Sequence, residues 1–267
     1  MKCIKNKVAV VTGGSEGIGL GIAKALSQEG AIVAIIARSK KKLQAAAKSI
    51  SGEIYCFPSD LTDTDATESV MRQIATKLGP IDILINNVGG GTFKPYQEQS
   101  CNEAILPVHL PFASAITATH TVIPSMIERK SGHIVNMTSP AGYIPFPNMM
   151  PYVASRHGIV GLSLSLHEEL KQHGIGSTLF CPGQVNTGYF DHNDADMSWY
   201  PRVSKIFRVL EPDEVAIQVI KAIRKNKREI IYPLSLGLFV RTYQKIPRLS
   251  IGFLKACNLW QPSHKSH

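Results

Sequence analysis

The run Thr12-Gly13-Gly14-Ser15-Glu16-Gly17-Ile18-Gly19 follows a short apolar, β-branched segment and opens directly into sequence of helical period. Glycines at a strand-to-helix turn let the backbone come close to a pyrophosphate, and free N–H groups at the helix N-terminus meet its charge. The pattern predicts a dinucleotide cradle at Thr12, Gly13, Ser15, Glu16, Gly17, Ile18 and Gly19, against the plainer alternative of a tight turn. At the end of the next apolar segment, where a carboxylate would accept hydrogen bonds from an adenosine ribose, the chain reads Ala37-Arg38-Ser39-Lys40. A guanidinium forks onto phosphate oxygens and no carboxylate competes, so Arg38 points to NADP(H) over NAD(H). The alternative is an arginine at a helix start facing water, and Glu16 beside the turn does not favour a phosphate.

The elements that would carry these residues follow from periodicity. Val8–Val11, Ile32–Ala37, Ile54–Phe57, Ile81–Asn86, Ile134–Thr138, Ser177–Cys181 and Ile230–Tyr232 read as strands. Helices are expected over Gly17–Gln28, Lys40–Ser49, Asp63–Leu78, Phe112–Arg129, Tyr152–His173 and Pro212–Lys225. Near-continuous apolar strands separated by amphipathic segments imply a parallel sheet covered on both faces, because each right-handed crossover lays a helix over it. The fold class is therefore α/β, a doubly wound Rossmann fold of one domain, with seven parallel strands in the order 3-2-1-4-5-6-7. No repeat or linker divides the chain. Between Thr187 and Leu210 the pattern dissolves into polar residues and scattered aromatics, including Asp191, Asn193, Trp199 and Pro201, which suits a lid or substrate loop.

Composition narrows the class further. With 44% hydrophobic and 18% charged residues, a disordered chain, a collagen-like repeat and a disulfide scaffold are excluded. Five cysteines without a C-x-x-C pair or zinc-ligand spacing imply reduced thiols in a cytosol-like compartment and no metal site. A first strand beginning at Lys7 leaves no room for a secretory leader, which points to a cytoplasmic protein. Ile230 to Val240 is about half the roughly 20 residues that a spanning helix needs. The net charge of +9 lies in the last quarter, because residues 1–200 hold 16 Lys and Arg against 16 Asp and Glu, whereas residues 201–267 hold 13 against 4. Such a tail is either solvated or drawn to an anionic partner. Nucleic acid is not expected, since no reading motif accompanies the charge.

Over nearly its whole length the sequence resembles the short-chain dehydrogenases/reductases. The glycine turn fits that family's T-G-x-x-x-G-x-G, and Asp60-Leu61 resembles the site of its adenine-contacting acidic residue. Asn86-Asn87-Val88-Gly89 is similar to its N-N-A-G, which implies cofactor contacts at Asn87 and Gly89. Pro182-Gly183 with Val185 and Thr187 resembles its P-G-x-V-x-T, whose threonine contacts the nicotinamide carboxamide.

The same resemblance implies catalysis by Ser139, Tyr152 and position 156, since Ser139 precedes Tyr152 by thirteen positions and Tyr152-Val153-Ala154-Ser155-Arg156 fits Y-x-x-x-K apart from its last residue. Residues four apart share a helix face, so Arg156 can set a cation near the Tyr152 hydroxyl and the cofactor ribose. A phenol with a pKa of about 10 exchanges protons efficiently at neutral pH only beside positive charge. Arg156 keeps that charge but cannot release a proton, so relay through it is impaired. The helix before the fifth strand departs as well: the family's water-holding asparagine falls on Pro111 by ungapped counting, or on His109 if Val108-His109-Leu110 matches V-N-L.

Beyond the last strand, Pro233 to Trp260 reads as two short amphipathic helices divided at Pro247, suited to a protein groove, a membrane interface or packing on its own domain or on a dimer partner. The expected activity is hydride transfer between NADP(H) and a ketone or secondary alcohol, with a hydrophobic or lipid-like substrate such as a 3-ketoacyl or 3-ketosphinganine-like carbonyl. The resemblance also implies a homodimer or homotetramer, and the tail suggests peripheral contact with anionic membrane. The alternative is a catalytically impaired NADP(H)-binding protein acting as a regulatory or interaction module.

Overall fold

The computed structural model describes residues 1–189 and 197–260. Strands β1 (Val8–Thr12), β2 (Ile32–Ala37), β3 (Ile54–Pro58), β4 (Ile83–Asn86), β5 (His133–Met137), β6 (Gly176–Pro182) and β7 (Glu229–Tyr232) form one parallel sheet in the order β3-β2-β1-β4-β5-β6-β7. The sequence-based order is the observed one. Because the chain leaves β1 toward β2 on one side and pairs it with β4 on the other, a crevice opens at the carboxyl ends of β1 and β4.

Strands this apolar form a central sheet because both of their faces are covered. Ala9, Val11, Val33, Ile35, Ile83 and Ile85 pack with helices α1 (Gly17–Gln28), α2 (Lys40–Lys48) and α7 (Pro212–Lys225). Their neighbours in sequence, Val8, Val10, Ala34, Ile36 and Leu84, pack with α3 (Thr64–Leu78), α5 (Ser114–Glu128) and α6 (Met150–Leu170). The period of two is thus present but hidden, since neither face needs polar residues. Helix starts are fixed locally. The Asp63 carboxylate accepts from Asp65 N and Ala66 N at 2.9 and 3.1 Å, and Glu211 and Glu214 form a capping box on α7.

Element boundaries agree with the sequence pattern to within two residues, with two exceptions: α6 ends at Leu170, where the last three residues expected, Lys171–His173, form a 3-10 turn, and the segment before α5 differs more widely. The helix expected from Phe112 begins instead with α4 (Cys101–Pro107), continues as a π-helical segment over Val108–Ala113 and then becomes α5. Pro107 and Pro111 lack the N–H that an α-helix needs, and the wider turn accommodates them. Past β7, α8 (Leu234–Lys245) and α9 (Pro247–Ala256) break at Pro247 as the sequence suggests.

One buried polar group matters for stability. Thr178 Oγ1 donates to Lys227 O at 2.6 Å and lies 2.8 Å from His133 Nε2, so it accepts from a neutral imidazole. Burial, with the N-terminal ammonium and His167 adding to it, pushes the His133 pKa down to about 3. An unfolded imidazole titrates near pH 6.5, so below that pH the unfolded chain binds a proton that the folded chain refuses. This contribution is complete above about pH 6.5 and is lost toward pH 3. Urea unfolding at pH 7 and pH 4 is expected to show the parent losing on the order of 3 kcal/mol more than His133→Leu. Equal losses would contradict the assignment.

Candidate active site

A cleft of about 1270 Å³ runs across the carboxyl ends of the central strands. Its polar end is the glycine turn. Gly13 and Gly17 have φ of +66° and +55°, a region costly for residues with a Cβ. A Cβ at Gly19 would stand 2.1 Å from Gly13 O, so the turn closes tightly upon itself. Ser15, Glu16, Gly17, Ile18 and Gly19 line the cleft, and Thr187 from beyond β6 lies against Gly17 on the opposite wall.

Thr12 is a fastener and does not line the cleft. Its hydroxyl donates to Ile85 O at 3.2 Å and accepts from Asn87 N and Val88 N at 2.9 and 3.1 Å. Asn87 Nδ2 donates back to Thr12 O at 3.0 Å, so the ends of β1 and β4 are tied together. Asn87 and Gly89 line the cleft, as do Pro182, Gly183 and Val185.

Arg38 lies at the mouth of the polar end with Ser39, Lys42, Ser59 and Leu61. Asp60 is outside the lining: its Oδ1 accepts from Thr62 N at 3.0 Å and Thr62 Oγ1 at 2.9 Å, which turns it into the loop. The Thr62 amide holds the carboxyl below the usual range against the opposing effect of burial, with help from the Thr62 hydroxyl and Arg38. Lys42 was not singled out in the sequence, although the basic run Lys40-Lys41-Lys42 opens α2. It pairs with Glu16 at 3.0 Å, so the one carboxylate at the turn is partly offset by a cation.

At the centre, Tyr152 and Arg156 occupy one face of the first two turns of α6. Arg156 is only 5% exposed. Its Nη1 donates to Met137 O at 3.0 Å, and its Cζ lies 4.9 Å from the centre of the Tyr152 ring, a cation–π arrangement. Gly89 makes room for the fork, since a Cβ there would stand 2.3 Å from Arg156 Nη2. Gly91 does the same for the tyrosine ring, with a Cβ contact of 2.8 Å to Cδ2. Burial acts to lower the Arg156 pKa, but Tyr152 and Tyr189 outweigh it and the net direction is upward, so the cation persists.

Ser139 caps the short helix Pro140–Gly142 and accepts from Ala141 N at 3.0 Å, which leaves its O–H to donate into the cleft. Around Tyr152 stands an aromatic wall that sequence reasoning did not identify. Phe93 meets Tyr152 edge-on at 5.5 Å and Tyr200 at 5.7 Å. Burial, reinforced by Tyr152, raises the phenol pKa of both Tyr189 and Tyr200, so both are held protonated. No local period announces these contacts, which arise where distant loops meet. Farther along, Phe146, Val203, Phe207, Leu236 and Phe239 make the other end of the cleft apolar.

Of the two positions on which the family's asparagine could fall, His109 has its side chain exposed and absent from the cleft lining, while Glu103, Leu106 and Leu110 are present there. Pro111 is buried within the π segment. His157 and His167 are structural, lying 2.9 Å from Val153 O and 3.1 Å from Ser177 O through their Nδ1 atoms. Of the loop expected at 187–210, Asp191 and Asn193 lie outside the described residues, whereas Thr187, Tyr189, Trp199, Tyr200 and Pro201 form cleft wall.

Comparison with known proteins agrees with this geometry. The short chain dehydrogenase family model matches residues 7–198. A ketoacyl reductase, HetN, of Nostoc sp. is 33% identical over 239 residues, covering 86% of this chain and 80% of that protein. A fatty acyl-CoA reductase of Acinetobacter baylyi is 31% identical over 260 residues, covering 94% and 85%. Among solved structures, a metagenomic short-chain oxidoreductase in complex with NADP superposes with a TM-score of 0.72 at 30% identity, covering 85% of this chain and 97% of that one. A variant of actinorhodin polyketide ketoreductase with NADPH gives 0.75 at 28% identity, with coverages of 86% and 97%. By its sheet order, its glycine turn and the matched span of sequence, this chain belongs to the short-chain dehydrogenase family.

Proposed function

We propose that this protein is an NADP(H)-dependent reductase that moves a hydride between the nicotinamide and a ketone or secondary alcohol borne on a hydrophobic chain, of the 3-ketoacyl or 3-ketosphinganine-like class. The observation that carries the reading is one cleft with a glycine cradle and two cations at one end, an apolar wall at the other, and Ser139, Tyr152 and Arg156 between them.

The residues present fit a dinucleotide. The turn closes as it does only because Gly13, Gly17 and Gly19 lack side chains, and Arg156 Nε is a buried donor without a hydrogen-bond partner among the described residues. Gly13 to Gly19 would hold the pyrophosphate, Arg38 and Lys42 the ribose phosphate, Asn87 and Gly89 the adjoining ribose region, and Thr187 the carboxamide. The 2′-phosphate reading gains from Lys42, which supplies a second cation and occupies Glu16. When bound, NADPH supplies the hydride. Tyr152 O–H gives a proton to the developing alkoxide, Ser139 O–H donates to the same oxygen, and Arg156 keeps positive charge against the phenolate that results. Reprotonation cannot run through Arg156, which slows turnover relative to a lysine at that position.

The reductases named above support the substrate class, as do Phe146, Phe207, Leu236 and Phe239, which suit an acyl chain and offer it no charge. Exposed Ile116 on α5 and Met150 on α6 support pairing of copies through these helices.

Two measurements test the proposal. Titration with NADPH and NADH is expected to favour NADPH, with Arg38→Leu cutting the preference by at least tenfold, in line with the loss of a charge-assisted fork worth about 1.5–3 kcal/mol. An unchanged preference in that variant removes Arg38 from the 2′-phosphate site. In assays with 3-oxoacyl thioesters, Tyr152→Phe is expected to lower kcat by about 10²–10⁴ while NADPH affinity holds. Retained turnover would refute Tyr152 as the proton donor.

A further inference from the structure

The two helices after β7 are apolar on opposite sides. Leu236, Val240 and Tyr243 of α8 and Leu254 of α9 are buried in one cluster with core residues such as Ile144 and Leu179, which fastens the hairpin to the domain. The outer side remains apolar as well: Leu234 and Leu238 are 85% and 70% exposed, and Leu249 and Phe253 are 70% and 67% exposed. Each pair is four residues apart, so each helix carries an outward stripe, and Ile246 at the corner between them is exposed too. Apolar side chains gathered on one exposed segment mark a contact surface.

Charge decides what it contacts. From Ile230 to the last residue the chain has five Lys and Arg and no Asp or Glu. Arg241 is occupied by Glu229, but Lys245, Arg248 and Lys255 are exposed and are in no ion pair among the described residues. A second copy docking through this face would set the patch against itself across a two-fold axis, cations toward cations with no carboxylate to meet them. Leucine and phenylalanine stripes flanked by unpaired lysine and arginine match a bilayer interface with anionic headgroups. Residues 1–200 are balanced in charge, and residues 201–229 mix eight Lys and Arg with four Asp and Glu, so the stretch without any carboxylate is the one from Ile230 on.

We propose that the α8–α9 hairpin docks this protein on an anionic lipid surface, with Leu234, Leu238, Leu249 and Phe253 entering the interfacial layer and Lys245, Arg248 and Lys255 meeting the headgroups. Helix α8 also gives Leu236 and Phe239 to the apolar end of the cleft, where the Phe239 ring lies 5.4 Å from that of Phe207 at a tilt of 53°, so the docked helix and the cleft wall are one element. The docking does not depend on the catalytic reading.

Vesicle flotation of the full chain tests it directly. Vesicles of phosphatidylcholine with about one-third phosphatidylserine are expected to bind at least tenfold more protein than phosphatidylcholine alone, and about 1 M salt, where the Debye length is ~3 Å, should release it. Lys245→Gln, Arg248→Gln and Lys255→Gln together should weaken binding about a hundredfold, from roughly fivefold per charge. Leu238→Ser with Phe253→Ser should weaken it at least tenfold, with the melting temperature of each variant checked against the parent. Equal binding to neutral and anionic vesicles, or no loss in either variant set, overturns the proposal. So does light scattering that finds the serine variant monomeric where the parent is dimeric, or binding that is confined to an acidic protein.

Discussion

A guanidinium buried against the face of a phenol governs this site. Taking a charge out of water is costly unless every neighbour contributes, and at Arg156 three do: the Met137 carbonyl accepts from Nη1, the Tyr152 ring lies beneath the fork, and Gly89 has no side chain to exclude it. Met137 is the last residue of β5, and Thr138 just beyond it donates from Oγ1 to Arg156 O at 3.2 Å. The end of a central strand therefore sets both the position of the cation and the rotation of the helix that carries it. A lysine would meet these constraints with a smaller, deprotonatable head. The arginine meets them with a permanent charge, and the missing side chain at Gly89 is what makes its bulk tolerable.

The cleft then reads as a gradient. Backbone N–H groups and the cations Arg38 and Lys42 stand at one end, protonated phenols surround Tyr152 in the middle, and phenylalanine and leucine close the other end. Such a gradient orders an elongated ligand by polarity before any single contact specifies it. The mutual bonds of Thr12 and Asn87 keep the polar end in register with the centre, because they join the two strands whose ends flank the crevice.

Much of the fold was legible because a parallel sheet leaves a strong trace: each strand is an apolar run, each crossover an amphipathic one, α1 runs from Gly17 to just before Gly30, and α7 starts at Glu211-Pro212 and stops at the left-handed Asn226. What escaped did so for physical reasons. No helix is expected over α4, which holds Pro107 and runs into Pro111, although Ser100 and Glu103 spell a capping box at its start and both of its hydrogen bonds are present. Thr12 and Asp60 carry family motifs, yet their side chains are spent on backbone and loop, which only three-dimensional contacts reveal. Phe93, Tyr189 and Tyr200 converge on Tyr152 from segments far apart in sequence, and no periodicity encodes such a meeting.

The central claim is that a phenol beside a permanently charged arginine still supplies the proton that completes the reduction of a carbonyl by hydride. It is tested most directly by incubating the protein at neutral pH with a 3-oxoacyl thioester and NADPH deuterated on nicotinamide C4, then locating the label by mass spectrometry. The account predicts deuterium on the carbinol carbon of the product. Tight NADPH binding with unlabelled, unreduced substrate across a range of chain lengths would contradict it.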